Sequence, residues 1–153
     1  FSLAIVYGEN SNSEMHQDTF SGIAKGFIYL QDITDKDAPF EYLEGTYSDA
    51  AFRSKRTNDA VINGDLYSSG STRLRGRDLE DAMNKYPLRT FTGKKGLFVL
   101  ANTSGYHRKG SHISSKPRIT LNFEIPRKGL MGKFLINSYA LFKYKFRSLL
   151  ISS

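Results

Sequence analysis

With 153 residues, 39% of them hydrophobic and 24% charged, the chain has the length and apolar content of one globular core and not the composition of a disordered polypeptide. It contains no cysteine, which excludes a disulfide framework and thiolate metal sites, so any metal must be held by nitrogen and oxygen ligands. The net charge of +7 is unevenly spread: residues 1 to 81 hold 8 Lys and Arg against 14 Asp and Glu, whereas residues 82 to 153 hold 14 against 1.

The chain opens at Phe1 on an apolar run and is read as part of a longer protein lacking its N-terminal portion. Leu3, Ile5 and Tyr7 alternate with Ala4 and Val6, the pattern of a strand buried on both faces. Gly8 to Ser13 is turn-rich, and Met15 to Phe20 returns to an extended pattern. Gly26 to Ile33 predicts a strand, Asp35 to Pro39 a loop, and Phe40 to Leu43 a short strand.

From Ser48 to Gly76 the chain is polar and shows no sustained period, so residues 48–92 are expected to form a long insertion or lid. Within them Arg77 to Tyr86 predicts one short helix, because Leu79, Ala82, Met83 and Tyr86 recur at helical spacing and Pro87 stops it. Gly96 to Ala101, Ile119 to Ile125 and Phe142 to Arg147 read as further strands. Short strands without a βαβ rhythm predict a mainly β chain, an antiparallel sandwich or barrel forming a single domain over residues 1–153.

No apolar run approaches bilayer length, and no basic segment with a following cleavage site opens the chain. A cytoplasmic protein with no membrane partner is therefore expected. The basic half could attract phosphates or nucleic acid, but an amphipathic edge strand explains its interleaved aromatics as well, and nucleic acid is not the expected partner.

Three histidines are available, His16, His107 and His112. His16 stands two residues before Asp18, a spacing that arises by chance in roughly one such sequence in six. On an extended segment the two side chains project to the same side, roughly 7 Å apart at the backbone, and can converge on one ion. A distant histidine would complete a two-histidine, one-carboxylate set with open positions, an arrangement suited to Fe(II).

Residues 14 to 47 and 93 to 125 resemble the phytanoyl-CoA dioxygenase family of Fe(II) and 2-oxoglutarate enzymes. The matching features are His16-Gln17-Asp18, the strand around Tyr29, the loop through Pro39, Leu43-Glu44-Gly45-Thr46, and then a glycine turn, an apolar strand, a distal histidine and a closing strand. Ala38, Glu44 and Tyr47 depart from the family's usual Gly, Pro and His at positions that are not iron ligands there.

The resemblance implies a double-stranded β-helix (jelly roll, cupin-like) with Fe(II) held by His16, Asp18 and His107. It also implies that Arg118, eleven residues after His107, holds the distal carboxylate of 2-oxoglutarate. The register favours His107 over His112, which is expected to be a solvated loop residue. The activity implied is hydroxylation of a small organic substrate by O₂, with release of succinate and CO₂.

Plainer readings stand beside these: His16 as a strand histidine with Asp18 capping a turn, His107 as a surface residue, and Arg118 paired with Glu124. For the whole chain the alternative is a non-catalytic jelly-roll module that binds an anionic ligand or nucleic acid.

Overall fold

Side chains alternate across a strand, so a short run of alternating residues can cover one face of a sheet and line a cavity with the other. A computed structural model of the chain describes residues 2–6, 13–18, 24–65 and 71–125. In chain order its elements are β1 Ser2–Val6, β2 Met15–Gln17, β3 Ala24–Tyr29, β4 Phe40–Leu43, α1 Ala50–Asn63, β5 Thr72–Leu74, α2 Gly76–Lys85, β6 Leu88–Phe91, β7 Phe98–Asn102, β8 His107–Lys109 and β9 Arg118–Ile125. The strand read at Phe142 to Arg147 lies outside the described residues.

The strands form two antiparallel sheets, one in the order β1-β9-β3-β7 and the other β5-β2-β8-β4-β6. The expected mainly β jelly-roll class is what the chain adopts. Tyr29 ties the sheets together: from β3 it is fully buried, and its hydroxyl donates to the Phe91 carbonyl (2.8 Å) and accepts from the Phe40 amide (3.0 Å) across the gap. Phe27 of β3 meets Phe40 of β4 with ring centroids 4.8 Å apart.

The far side of the five-stranded sheet carries the main apolar cluster. Met15, Leu43, Leu74 and Tyr106 pack there against Ala82 and Tyr86, with Phe52, Leu79 and Leu88 around them. Each large aliphatic side chain buried there contributes roughly 1.5–3 kcal/mol. The helices therefore clamp one face of this sheet and leave its other face for the cavity.

Helix α2 matches the helix expected at Arg77 to Tyr86 to within a residue at each end, with Leu79, Ala82 and Tyr86 turned to the cluster. Helix α1 occupies the stretch read as lacking a period. The reason is its inward stripe, which beyond Phe52 is polar: Thr57 accepts from Gln17 (3.3 Å), and Arg56 pairs with Asp59 (3.0 Å) and with Asp78 of α2. Its ends are well marked. The Asp49 carboxylate caps the Phe52 amide (2.8 Å), and Gly64 closes the helix at φ 76°, where a side chain would be strained. Residues 48–92, expected as an insertion or lid, thus hold both helices and supply β5 and β6, the two edges of the five-stranded sheet.

The expectation for β1 needs correction. It is the edge of the four-stranded sheet, and Leu3 and Ile5 are 60% and 44% exposed rather than buried on both faces. Apolar alternation defines two faces but does not say which of them is covered. Among the described residues no helix is long and apolar enough to cross a membrane.

Candidate metal centre

Strand β2 pairs antiparallel with β8 so that His16 lies directly opposite His107, 91 positions away in the chain. Directly opposed residues point to the same face. The imidazole centroids are 4.4 Å apart, and Asp18, one position beyond the end of β2, turns its carboxylate to the same side. Ligand atoms of His16, Asp18 and His107 all lie within 4.8 Å of one another, the one such cluster among the described residues. His112 is not part of it.

The orientation of both rings has a backbone cause. His16 Nδ1 contacts the Glu14 carbonyl (2.8 Å), and His107 Nδ1 contacts the Gly105 carbonyl (3.0 Å). A carbonyl only accepts, so each neutral ring carries its proton on Nδ1 and presents a bare Nε2. Both Nε2 atoms face Asp18 Oδ1, at 3.5 and 3.7 Å. An ion bound at about 2.1 Å from cis ligands would hold them about 3 Å apart, so a small inward adjustment converts this triangle into a coordination face. The donor set fits a divalent transition metal and, with three positions left open, suits Fe(II).

The loop before β8 sets the approach of His107. Thr46 Oγ accepts from the Tyr106 amide (2.9 Å) and donates to the Leu43 carbonyl (2.7 Å), so the Gly-Thr of the first block anchors the residue beside the distal histidine. Gly105 lies against the Tyr42 hydroxyl so closely that any Cβ there would collide with it. That hydroxyl donates to the Asn102 carbonyl (2.9 Å), and Gly105 is the residue whose carbonyl orients His107.

A cavity of about 520 Å³ lies between the sheets, and its walls include the three clustered residues, Lys25, Phe27 and Arg118. Arg118 opens β9, is 6% exposed, and makes no ion pair among the described residues; its Nε has no hydrogen-bond partner. Its guanidinium sits 5.7 Å from the Tyr29 ring centroid. Burial pulls its pKa below the ordinary arginine value, with the Tyr29 hydroxyl acting in the opposite direction. Glu124 pairs with Lys25 (3.2 Å) rather than with Arg118.

His112 is buried, at 1% exposure, with Nε2 on the Lys116 carbonyl (2.8 Å). The expectation of a solvated loop residue is corrected by its bridge to Asp37, which folds the loop back on itself. Lys25 carried no signal in the sequence. It reaches Asp18 Oδ2 (2.8 Å) from β3 in the opposite sheet, a contact that only strand packing creates.

Burial pushes the His107 pKa down to about 4, reinforced by His16 and opposed by Asp18. For Asp18, burial acts to raise the pKa, but His16, His107, Lys25 and Thr103 together hold the carboxylate well below its usual range. Both shifts have the same sign for stability. The unfolded chain binds the His107 proton below about pH 6.5 and the folded chain only below about 4. Metal-free protein should therefore lose about 3 kcal/mol as pH falls through that window. Urea midpoints at pH 7 and pH 4.5 measure it, and His107→Gln should flatten the slope.

No family model matches the chain, and no curated protein matches it. Solved structures do. EctD from S. alaskensis, crystallised with 2-oxoglutarate and 5-hydroxyectoine, superposes with a TM-score of 0.55 at 15% identity over 80% of this chain and 41% of its own. AviO1 from Streptomyces viridochromogenes Tue57 gives 0.56 at 13% identity, over 83% and 49%. HygX from Streptomyces hygroscopicus, with iron bound, gives 0.51 at 14% identity, over 82% and 56%. The chain thus spans about half, or less, of the length of these proteins. The likeness establishes the fold: a mainly β jelly roll built on the same two-sheet plan.

Proposed function

We propose that this chain carries the metal centre of an Fe(II)- and 2-oxoglutarate-dependent oxygenase that hydroxylates a small organic substrate. The supporting observation is the pair of bare Nε2 atoms facing one carboxylate oxygen in a cavity that also holds a buried guanidinium with no ion-pair partner among the described residues. Structures of this fold have been obtained with iron bound and with 2-oxoglutarate bound, which supports the same reading for this chain.

His16 and His107 would donate through Nε2 and Asp18 through Oδ1, leaving one positive charge on the ion. Arg118 would take the distal carboxylate of 2-oxoglutarate, since a planar, permanently charged fork suits bidentate binding. That contact also supplies a counter-charge that no described residue gives its buried guanidinium. When bound, Fe(II) and 2-oxoglutarate supply the oxidising power: O₂ is reduced as 2-oxoglutarate becomes succinate and CO₂, and a substrate C–H bond becomes C–OH. The Phe27–Phe40 pair forms an apolar wall beside the cluster.

Fe(II) and 2-oxoglutarate, each at a hundredfold excess over its Kd, should each stabilise the full-length protein by about 2.7 kcal/mol, and succinate should accumulate in air. Calorimetry that detects neither ligand binding would overturn the proposal. Anion binding that ignores iron and weakens steeply with salt would instead favour a non-catalytic module.

A further inference from the structure

Asp18 uses its two oxygens differently. Oδ1 faces the two histidine Nε2 atoms, while Oδ2 lies 2.8 Å from Lys25 Nζ. Lys25 comes from β3 of the opposite sheet and is held by a second carboxylate: Glu124, its direct partner across the β3–β9 ladder, contacts the same ammonium at 3.2 Å. The ammonium therefore sits between two carboxylates. It meets the carboxylate from the wall opposite the strand that carries the histidines.

A carboxylate can hold a divalent ion through one oxygen or two. Two-oxygen binding takes a fourth position and leaves two open, whereas one-oxygen binding leaves three. Building on the metal reading above, we propose that Lys25 is a positioning residue that keeps Asp18 monodentate, so that three adjacent positions stay open for a chelating cosubstrate and O₂. An ammonium ion-paired with Oδ2 at 2.8 Å holds that oxygen back from rotating onto the metal. Glu124 aims the ammonium.

The test counts exchangeable waters on Mn(II) bound at saturation to full-length protein, from water-proton relaxivity. Wild type and Lys25→Arg should show three waters. Lys25→Met should show two, a fall of about one third in relaxivity, as Oδ2 closes onto the ion. Glu124→Gln should fall between the two. A Lys25→Met protein with wild-type relaxivity overturns the proposal. So does a wild-type count of two, which keeps the test decisive should Lys25→Met fail to fold. Failure of the wild type to bind Mn(II) at all would instead refute the metal reading itself.

Discussion

Replacing Asp18 by asparagine is expected to lower Fe(II) or Mn(II) affinity by at least about a hundredfold, with the fold intact. Outer-sphere partners of metal ligands are commonly worth 10–100-fold, and Asp18 is the one anionic donor in the cluster. Its removal leaves two neutral imidazoles to bind a dication beside the Lys25 ammonium, which then repels the ion without a carboxylate between them. Asparagine preserves volume, so the change reports on charge and donor chemistry rather than on packing. Titration calorimetry of both proteins at pH 7 measures the difference. Equal affinities would remove Asp18 from the centre.

Arg118→Met is expected to separate cosubstrate binding from metal binding. The Mn(II)-loaded variant should bind 2-oxoglutarate about 3 kcal/mol more weakly, a factor of roughly 150, because a desolvated charge pair loses one member. Mn(II) affinity should stay within a fewfold of wild type. Stability in the absence of ligands should hold or rise, since the guanidinium is buried, has no ion-pair partner among the described residues and leaves Nε unsatisfied. Arg118→Lys should restore part of the affinity by charge alone. If Arg118→Met instead unfolded the protein while lysine rescued it fully, Arg118 would be a structural cation.

The candidate site was legible to unequal depths. His16 and Asp18 are close in sequence, and strand periodicity alone puts them on one side. His107 and Arg118 have no local mark: one sits in a three-residue strand, the other at the start of β9, and only their order in the motif pointed to them. Lys25 was not legible. Its role depends on which sheet faces which, and a lysine in an alternating strand reads as solvent-facing by default.

The secondary structure divides along the same line. Helix α2 announced itself because its buried stripe is apolar, whereas α1 hid because, beyond Phe52 in its first turn, its inward stripe is arginine and threonine, although Asp49 and Gly64 marked its ends. Strand β1 shows the reverse fault, an apolar pattern promising burial that its edge position does not deliver.

By itself the sequence determined that the chain is mainly β, that a metal here could have only nitrogen and oxygen ligands, and that His16 and Asp18 share a side. Those are properties of composition and of neighbouring residues. Tertiary structure decided that His16 faces His107, that Arg118 is buried without an ion-pair partner among the described residues, that Lys25 and not Arg118 takes Glu124, and that His112 lies elsewhere. Period-two alternation specifies a face for each side chain. Which strands become neighbours, and which faces meet across the cavity, follow from how the whole set buries its apolar surface and satisfies its backbone.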